Sequence, residues 1–286
     1  MPTSVTASRG REETLLTGST PPRDESATPE PSPSDELWRA MLTENAQGRR
    51  FRRLHRRIPS SPRCKLCAAP FGGLGGLVMP YLGHPRWAKN PKYCAGCFGV
   101  IREHHGGAEI DCSLLFADVR GSTALAEQMT PKDFNRLMGR FFDTAADVVV
   151  GHDGIVDKFV GDEIIGIFVP AMATSGHARH AVAAATNLLE RTARLGAAGE
   201  RLPVGAGVSA GTAYVGSIGE GLEAELTAMG DLVNTTARLA STAAAGEVLV
   251  TLPAATAAGL SESLEHRSLK LKGKSDDTEV AVVPVP

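Results

Sequence analysis

The sequence predicts an α+β protein, and three observations predict it. From residue 109 onward, short apolar runs alternate with segments of helical period. Their order reads β-α-α-β-β-α-β, followed by extra strands. Ahead of them, two close cysteine pairs sit in a glycine-containing basic stretch. A ferredoxin-like βαββαβ core with additional C-terminal strands, preceded by a small N-terminal four-cysteine metal-binding module, fits this order.

Length and composition bound the reading. The 286 residues suit one domain of ordinary size plus an appendage, or two small domains. With 42% hydrophobic and 22% charged residues the composition is globular, and a formal net charge of −2 excludes an overall cationic excess of the nucleic-acid-binding kind. No apolar run approaches the roughly 18–20 residues that span a bilayer. The start MPTSVTASRGREETLL lacks an apolar h-region, so no signal peptide is predicted and the cytosol is the expected compartment. Five cysteines are there expected as thiols or metal ligands rather than disulfides.

The elements follow in order. Residues 1–33, rich in Pro, Ser, Thr, Gly and charge, predict a disordered tail. Ser34 caps a predicted short helix with Leu37, Trp38, Met41 and Leu42 on one face, which Gly48 interrupts. RRFRRLHRR, residues 49–57, holds six arginines in nine residues. It reads as a solvated basic face or as a contact for an acidic partner, anionic lipid or nucleic acid. A helical stretch to His105 is predicted to end in a Gly106-Gly107 cap and hinge. IDCSLLFADV reads as a buried strand, Gly121-Ser122-Thr123 opens a helix, and Thr130-Pro131 starts a longer one to about Val150. IVDKFV and EIIGIFV form a hairpin about a Gly-Asp turn. His177 to about Leu195 is an Ala-rich helix, and VGAGVSAGTAYVGSIG reads as strand, turn, strand. Leu232–Thr242 is helical and GEVLVT is another strand.

Three segments carry polar residues that packing alone does not require. Asp118 ends an apolar strand just before a helix start, where free backbone N–H groups suit phosphate. A carboxylate there repels phosphate unless a cation lies between them, which implies a divalent metal; the competing reading is a helix cap. Asp162 sits in the hairpin turn, where turn propensity explains it equally well, and paired with Asp118 it supplies a second carboxylate. Asn234 and Arg238 share one helical face, as ligand groups or as a cap and a solvated cation.

Taken together, LFADVRGST, KFVGDEIIGIF, GDLVNTTARL and LKGKS, in this order and spacing, resemble the catalytic domain of class III adenylyl and guanylyl cyclases over about residues 109–284. The resemblance implies that Asp118, Asp162 and the Val119 carbonyl bind two Mg2+ or Mn2+ ions per active site. It implies that Lys158 and Thr227 read the purine and favour ATP. It further implies that Asn234 orients the ribose, Arg238 stabilises charge on the α-phosphate and Lys272 binds the triphosphate. The expected reaction converts ATP to 3′,5′-cyclic AMP and pyrophosphate, at two sites shared across a homodimer. The expected organisation is a tail over 1–33, a short helix and Arg-rich segment over 34–60, the cysteine module and linker over 61–107, and the catalytic domain over 108–286. A guanylate cyclase is the near alternative. A diguanylate cyclase is opposed by the missing first glycine ahead of Gly161-Asp162-Glu163. A zinc-finger nucleic-acid binder that dimerises through this domain is the alternative from another class.

Cys64, Cys67, Cys94 and Cys97 form a CxxC…CxxC pattern with 26 intervening residues, which fits a tetrahedral structural zinc and only loosely resembles a treble clef. An iron–sulfur centre or a redox disulfide are the alternatives. His84 competes as a ligand, while His104, His105, His177 and His180 read as surface histidines. Cys112 reads as a core residue. The position of the module, directly ahead of the first catalytic strand, predicts that it regulates the catalytic domain.

Overall fold

The computed structural model describes residues 32–43, 46–60, 62–88, 91–195, 202–219, 224–274 and 276–285. The predicted tail lies, up to residue 31, outside them. In chain order the helices are α1 (Pro33–Thr43), α2 (Ala46–Arg56), α3 (Gly73–Val78), α4 (Ala95–Glu103), α5 (Ser122–Gln128), α6 (Pro131–Gly151), α7 (Pro170–Ala173), α8 (His177–Thr192), α9 (Asp231–Thr242) and α10 (Leu252–Ala258). The strands are β1 (Gly106–Val119), β2 (Ile155–Val160), β3 (Glu163–Phe168), β4 (Val204–Ile218), β5 (Glu225–Met229), β6 (Glu247–Thr251), β7 (Glu265–Leu269) and β8 (Thr278–Pro284).

Period-two burial on β1 divides the core. Leu115, Ala117 and Val119 face α6, α8 and α10 in one apolar cluster. Ala108, Ile110, Cys112, Leu114 and Phe116 face the opposite side, where Trp38 and Leu42 of α1 and Phe98 and Ile101 of α4 cover them. The sheet runs β2-β3-β1-β4-β6-β8-β7, with β5 paired to β4. Its β2-β3-β1-β4 part, crossed by α6 and α8, is the predicted ferredoxin-like core. Cys112 is fully buried, and burial lifts its thiol to about 12, as expected of a packing residue.

Four local expectations are corrected. Gly106-Gly107 is no hinge: it begins β1 and pairs with Ser217 and Gly216. The glycine-rich segment 204–218 makes no turn, because all of β1 pairs with it from Gly106↔Ser217 to Val119↔Val204. Gly211, at φ +154°, is a kink within a continuous strand. Helix α2 runs through Gly48, and Arg49, Arg52 and Arg56 turn towards the protein while Arg50 and Arg53 stay exposed. Arg52, fully buried, donates to the carbonyls of Leu66 and Gly154. Arg56 donates to Gly151 O and pairs with Asp153 at 2.6 Å, and Arg49 reaches Ala171 O at 3.1 Å. Spacing of three and four puts these side chains on one face, and Arg56 on it reaches the carbonyl end of α6, where the helix dipole favours cations. Phe51 and Leu54 are exposed on the same helix. His177, expected at the surface, is buried with Nδ1 2.9 Å from Ser113 Oγ.

The crossing of β1 and β4 is tight. A Cβ added at Gly216 would lie 2.4 Å from Gly106 O and Gly107 Cα, whereas one added at Gly139 on α6 meets nothing within 4 Å. Gly216→Ala is therefore expected to lose roughly 1–3 kcal/mol in urea unfolding, and Gly139→Ala to gain about 0.5–1 kcal/mol. Equal effects at the two positions would contradict this packing.

Candidate functional site

The β2–β3 hairpin closes in a two-residue turn, Gly161-Asp162, with Gly161 at φ +61°. Pairing of β1 with β3 sets Asp118 opposite Glu163, the residue after Asp162. Three carboxylates thus meet at one end of the sheet, and Arg120 forms an ion pair with Asp118 while also reaching Ser241 O at 2.8 Å. Burial, reinforced by Asp162 and opposed by Arg120, raises Asp118 to about 6. Burial and the two aspartates raise Glu163 to about 7. Carboxylates crowded in this way are relieved by a divalent cation, and an oxygen-donor set with two aspartates suits magnesium or manganese. The Val119 side chain packs into the core, so its backbone is what it offers here. Beside Asp162 a groove is lined by Ser122, Thr123, Asn135 and Phe142.

A second group forms where β2 meets β5. The register of β2 against β3 slips between Val156 and Lys158, leaving Asp157 as the extra residue of a β-bulge. The Thr227 hydroxyl donates to Asp157 Oδ2 at 2.7 Å, and Lys158 Nζ lies 3.8 Å from Asp157 Oδ1. Lys158 and Thr227 are thereby brought together around a buried carboxylate that the motif did not mark.

The third group lies on α9. Asn234, exposed, precedes Arg238 by one turn. The Arg238 guanidinium covers Gly273, so that a Cβ there would lie 3.1 Å from it, and Lys274 pairs with Asp231. Arg238 is thus beside the loop that carries exposed Lys272. Among the described residues no hydrogen bond or ion pair joins Asp118 or Asp162 to Lys158, Thr227, Asn234 or Lys272.

Sequence reasoning missed Arg120, Glu163 and Asp157. Arg120 and Glu163 each lie within two residues of a marked aspartate. Asp157, a second charge beside Lys158 in a strand whose other residues are apolar, was the available signal for the third.

In the module, the sulfurs of Cys64, Cys67, Cys94 and Cys97 lie within 4.8 Å of one another and all four thiols are free. Cys67 and Cys94 are 3.7 Å apart, and a tetrahedral zinc with Zn–S near 2.3 Å places sulfurs about 3.8 Å apart. The Cys94 amide donates to Cys64 Sγ at 3.3 Å, and Cys94 caps α4 with Cys97 in its first turn. The other thiols, Cys64 first, hold Cys94 well below the ordinary thiol range. His84 Nδ1 lies 3.5 Å from Cys94 Sγ, beside the four sulfurs.

Residues 108–282, more than half of the chain, match the family model of the adenylate and guanylate cyclase catalytic domain. The chain belongs to the class III adenylyl/guanylyl cyclase family. It is 32% identical over 149 residues to Adenylate cyclase 1 of Rhizobium meliloti, a match covering 49% of this chain and 22% of that protein. It is 31% identical over 188 residues to an uncharacterized protein of Mycobacterium tuberculosis strain H37Rv, covering 63% of this chain and 34% of the relative. The chain therefore aligns with about a third or less of these relatives. Among solved structures, the guanylyl cyclase Cya2 superposes with TM-score 0.57 at 26% identity, covering 63% of this chain and 95% of that one. The adenylyl cyclase CyaB from P. aeruginosa superposes with TM-score 0.57 at 23% identity, covering 63% and 97%, a likeness of fold. No helix among the described residues is long and apolar enough to cross a membrane.

The raised carboxylates set a pH dependence. Their folded values exceed the ordinary carboxylate range near 4, so the unfolded chain releases these protons first and stability falls as pH rises from about 4 towards 7. In protein dialysed free of Mg2+ and Mn2+, Asp118→Asn should melt above the parent at pH 8. That advantage should shrink towards zero as pH falls through 6 to 4; a gap independent of pH would refute the assignment.

Proposed function

We propose that the chain is an adenylate cyclase, converting ATP to 3′,5′-cyclic AMP and pyrophosphate at a site shared between two copies of itself. The grouping of Lys158 and Thr227 about Asp157 is the observation that carries the choice of base, and the family membership carries the reaction. Asp118, Asp162 and the Val119 carbonyl hold two Mg2+ or Mn2+ ions, which when bound acidify the ribose 3′-hydroxyl and neutralise the phosphates. Lys158 and Thr227 bind the adenine edge. Asn234 orients the ribose, Arg238 faces the charge growing on the α-phosphate, and Lys272 binds the β- and γ-phosphates. The 3′-oxygen bonds to the α-phosphorus, the bond to the β-phosphate oxygen breaks, and pyrophosphate leaves with the electron pair. The chain's own work is positioning and electrostatics. In the two-copy arrangement one protomer supplies the aspartates and its partner the remaining groups.

The cysteines hold one structural zinc in this reading, since sulfur spacing near a tetrahedral edge suits a single ion. Its four thiolates leave a net charge of −2 on the centre, which the buried Arg52 offsets in part. The module also meets the base-reading strands. Lys65 donates to Asp157 O, Tyr93 Oη accepts from the Leu226 amide at 3.3 Å, and Lys92 pairs with Glu225. We infer that it regulates catalysis through these contacts. Arg49, Arg52 and Arg56 are engaged within the chain, which takes half of the arginine run away from the nucleic-acid reading and leaves Arg50, Arg53 and Arg57 exposed.

Offered ATP and GTP together with Mg2+ or Mn2+, the purified chain should form cyclic AMP by mass spectrometry, and Asp162→Ala should not. Cyclic GMP would select the guanylate alternative. Asp118→Ala and Arg238→Ala, each inactive alone, should recover up to about a quarter of the parent activity when mixed; no recovery would count against the shared site. Lys65→Met should retain one zinc per chain by metal analysis yet raise KM for ATP several-fold, and unchanged kinetics would separate the module from the base pocket.

A further inference from the structure

The hydroxyl of Thr227 can face a purine either as donor or as acceptor, and that choice decides which purine it suits. Adenine presents an acceptor at N1 and a donor at its 6-amino group. Guanine presents the reverse, a donor at N1 and an acceptor at O6. Lys158 can only donate, which matches adenine N1. Selectivity at the second position rests on where the single Thr227 proton points.

The structure answers this through Asp157. Thr227 and Asp157 are 5% and 3% exposed, and the hydroxyl donates to Asp157 Oδ2 at 2.7 Å. An ionised carboxylate accepts only, so this bond holds the proton on the Asp157 side and leaves the Thr227 lone pairs for a ligand. The bulge at Asp157 makes the arrangement possible. In a regular strand successive side chains alternate between faces, but two residues of β2, Asp157 and Lys158, stand opposite Ile165 alone. Both are thus delivered to the side where β5 carries Thr227. Burial raises Asp157, while the Thr227 bond, Lys158 Nζ at 3.8 Å and Lys65 at the Asp157 carbonyl favour its charged form; among the described residues Asp157 Oδ1 has no hydrogen-bond partner.

We propose that Asp157 is a specificity-determining positioning residue: by taking the Thr227 proton bond it makes Thr227 an acceptor for the adenine 6-amino group and turns guanine O6 away. This deepens, and rests on, the adenylate cyclase reading above. Asp157 touches no substrate itself.

The test compares kcat/KM for ATP, GTP and purine ribonucleoside triphosphate, which lacks the 6-amino group, in wild type, Asp157→Asn and Asp157→Glu. Asparagine can offer its NH2 to Thr227 and release the hydroxyl to donate. Asp157→Asn should therefore lower the ATP-to-GTP ratio at least tenfold and erase most of the ATP advantage over the 6-unsubstituted analogue. Asp157→Glu, still acceptor-only, should keep more of the ratio. Parallel losses for ATP and GTP in Asp157→Asn, with wild type preferring ATP, would overturn the role of Asp157 and leave the adenylate reading intact. A wild type that prefers GTP would overturn both. If neither variant melts cooperatively, wild type decides: a fivefold or greater preference for ATP over the 6-unsubstituted analogue supports the acceptor role, and a smaller one overturns it.

Discussion

The antiparallel pairing of β1 with β4 is the constraint on which the rest of the molecule depends. It runs unbroken from Gly106↔Ser217 to Val119↔Val204. Because side chains alternate along a strand, this single register decides which residues enter each of two apolar clusters. It also sets the ends. Asp118 arrives at the edge where the β2–β3 turn brings Asp162, and Gly107 arrives where β4 bends towards β5 and Thr227. A slip of one residue would exchange the two faces and separate the carboxylates.

The cysteine module is held to this sheet by apolar cover and by buried cations. Trp38, Phe98 and Ile101 remove the β1 face from water, each burial of this kind being worth roughly 1.5–3 kcal/mol. Arg52 bridges the Leu66 carbonyl, within the first cysteine turn, and Gly154, in the turn ahead of β2. A guanidinium suits this role because it stays charged while serving several carbonyls at once, even with burial lowering it to about 10. Its Nε finds no partner among the described residues, a cost that the other contacts must outweigh.

Much of this was legible in the sequence. The strand–helix order from β1 to β4 and the CxxC pairs stood out because period and spacing are local properties. The catalytic motifs marked Asp118, Asp162, Lys158, Thr227, Asn234, Arg238 and Lys272 through resemblance, and the fold sorts them into three groups. What composition could not reveal was direction. RRFRRLHRR reads as a solvated face on charge alone, yet Arg52 is interior while Phe51 lies in water, because the Leu66 and Gly154 carbonyls are partners only folding supplies. Glycines between 204 and 218 suggested a turn, but here they permit close strand approach. The pairing of Asp157 with Thr227 could not be read from the sequence for a similar reason, since the two lie 70 positions apart.

Kinship and cohesion end at different places in this chain. The family match opens at residue 108, but Ser34 Oγ donates to His105 O at 2.6 Å and Trp38 Nε1 to His104 O at 2.8 Å. The apolar cluster beneath β1 is completed by residues on the far side of that line. Grafting the catalytic portion onto a foreign sensor, or swapping this module for another, would thus be surgery through a shared interior rather than an exchange at a joint. Portability in such a protein has to be judged by where the core closes, which among the described residues reaches back to Trp38.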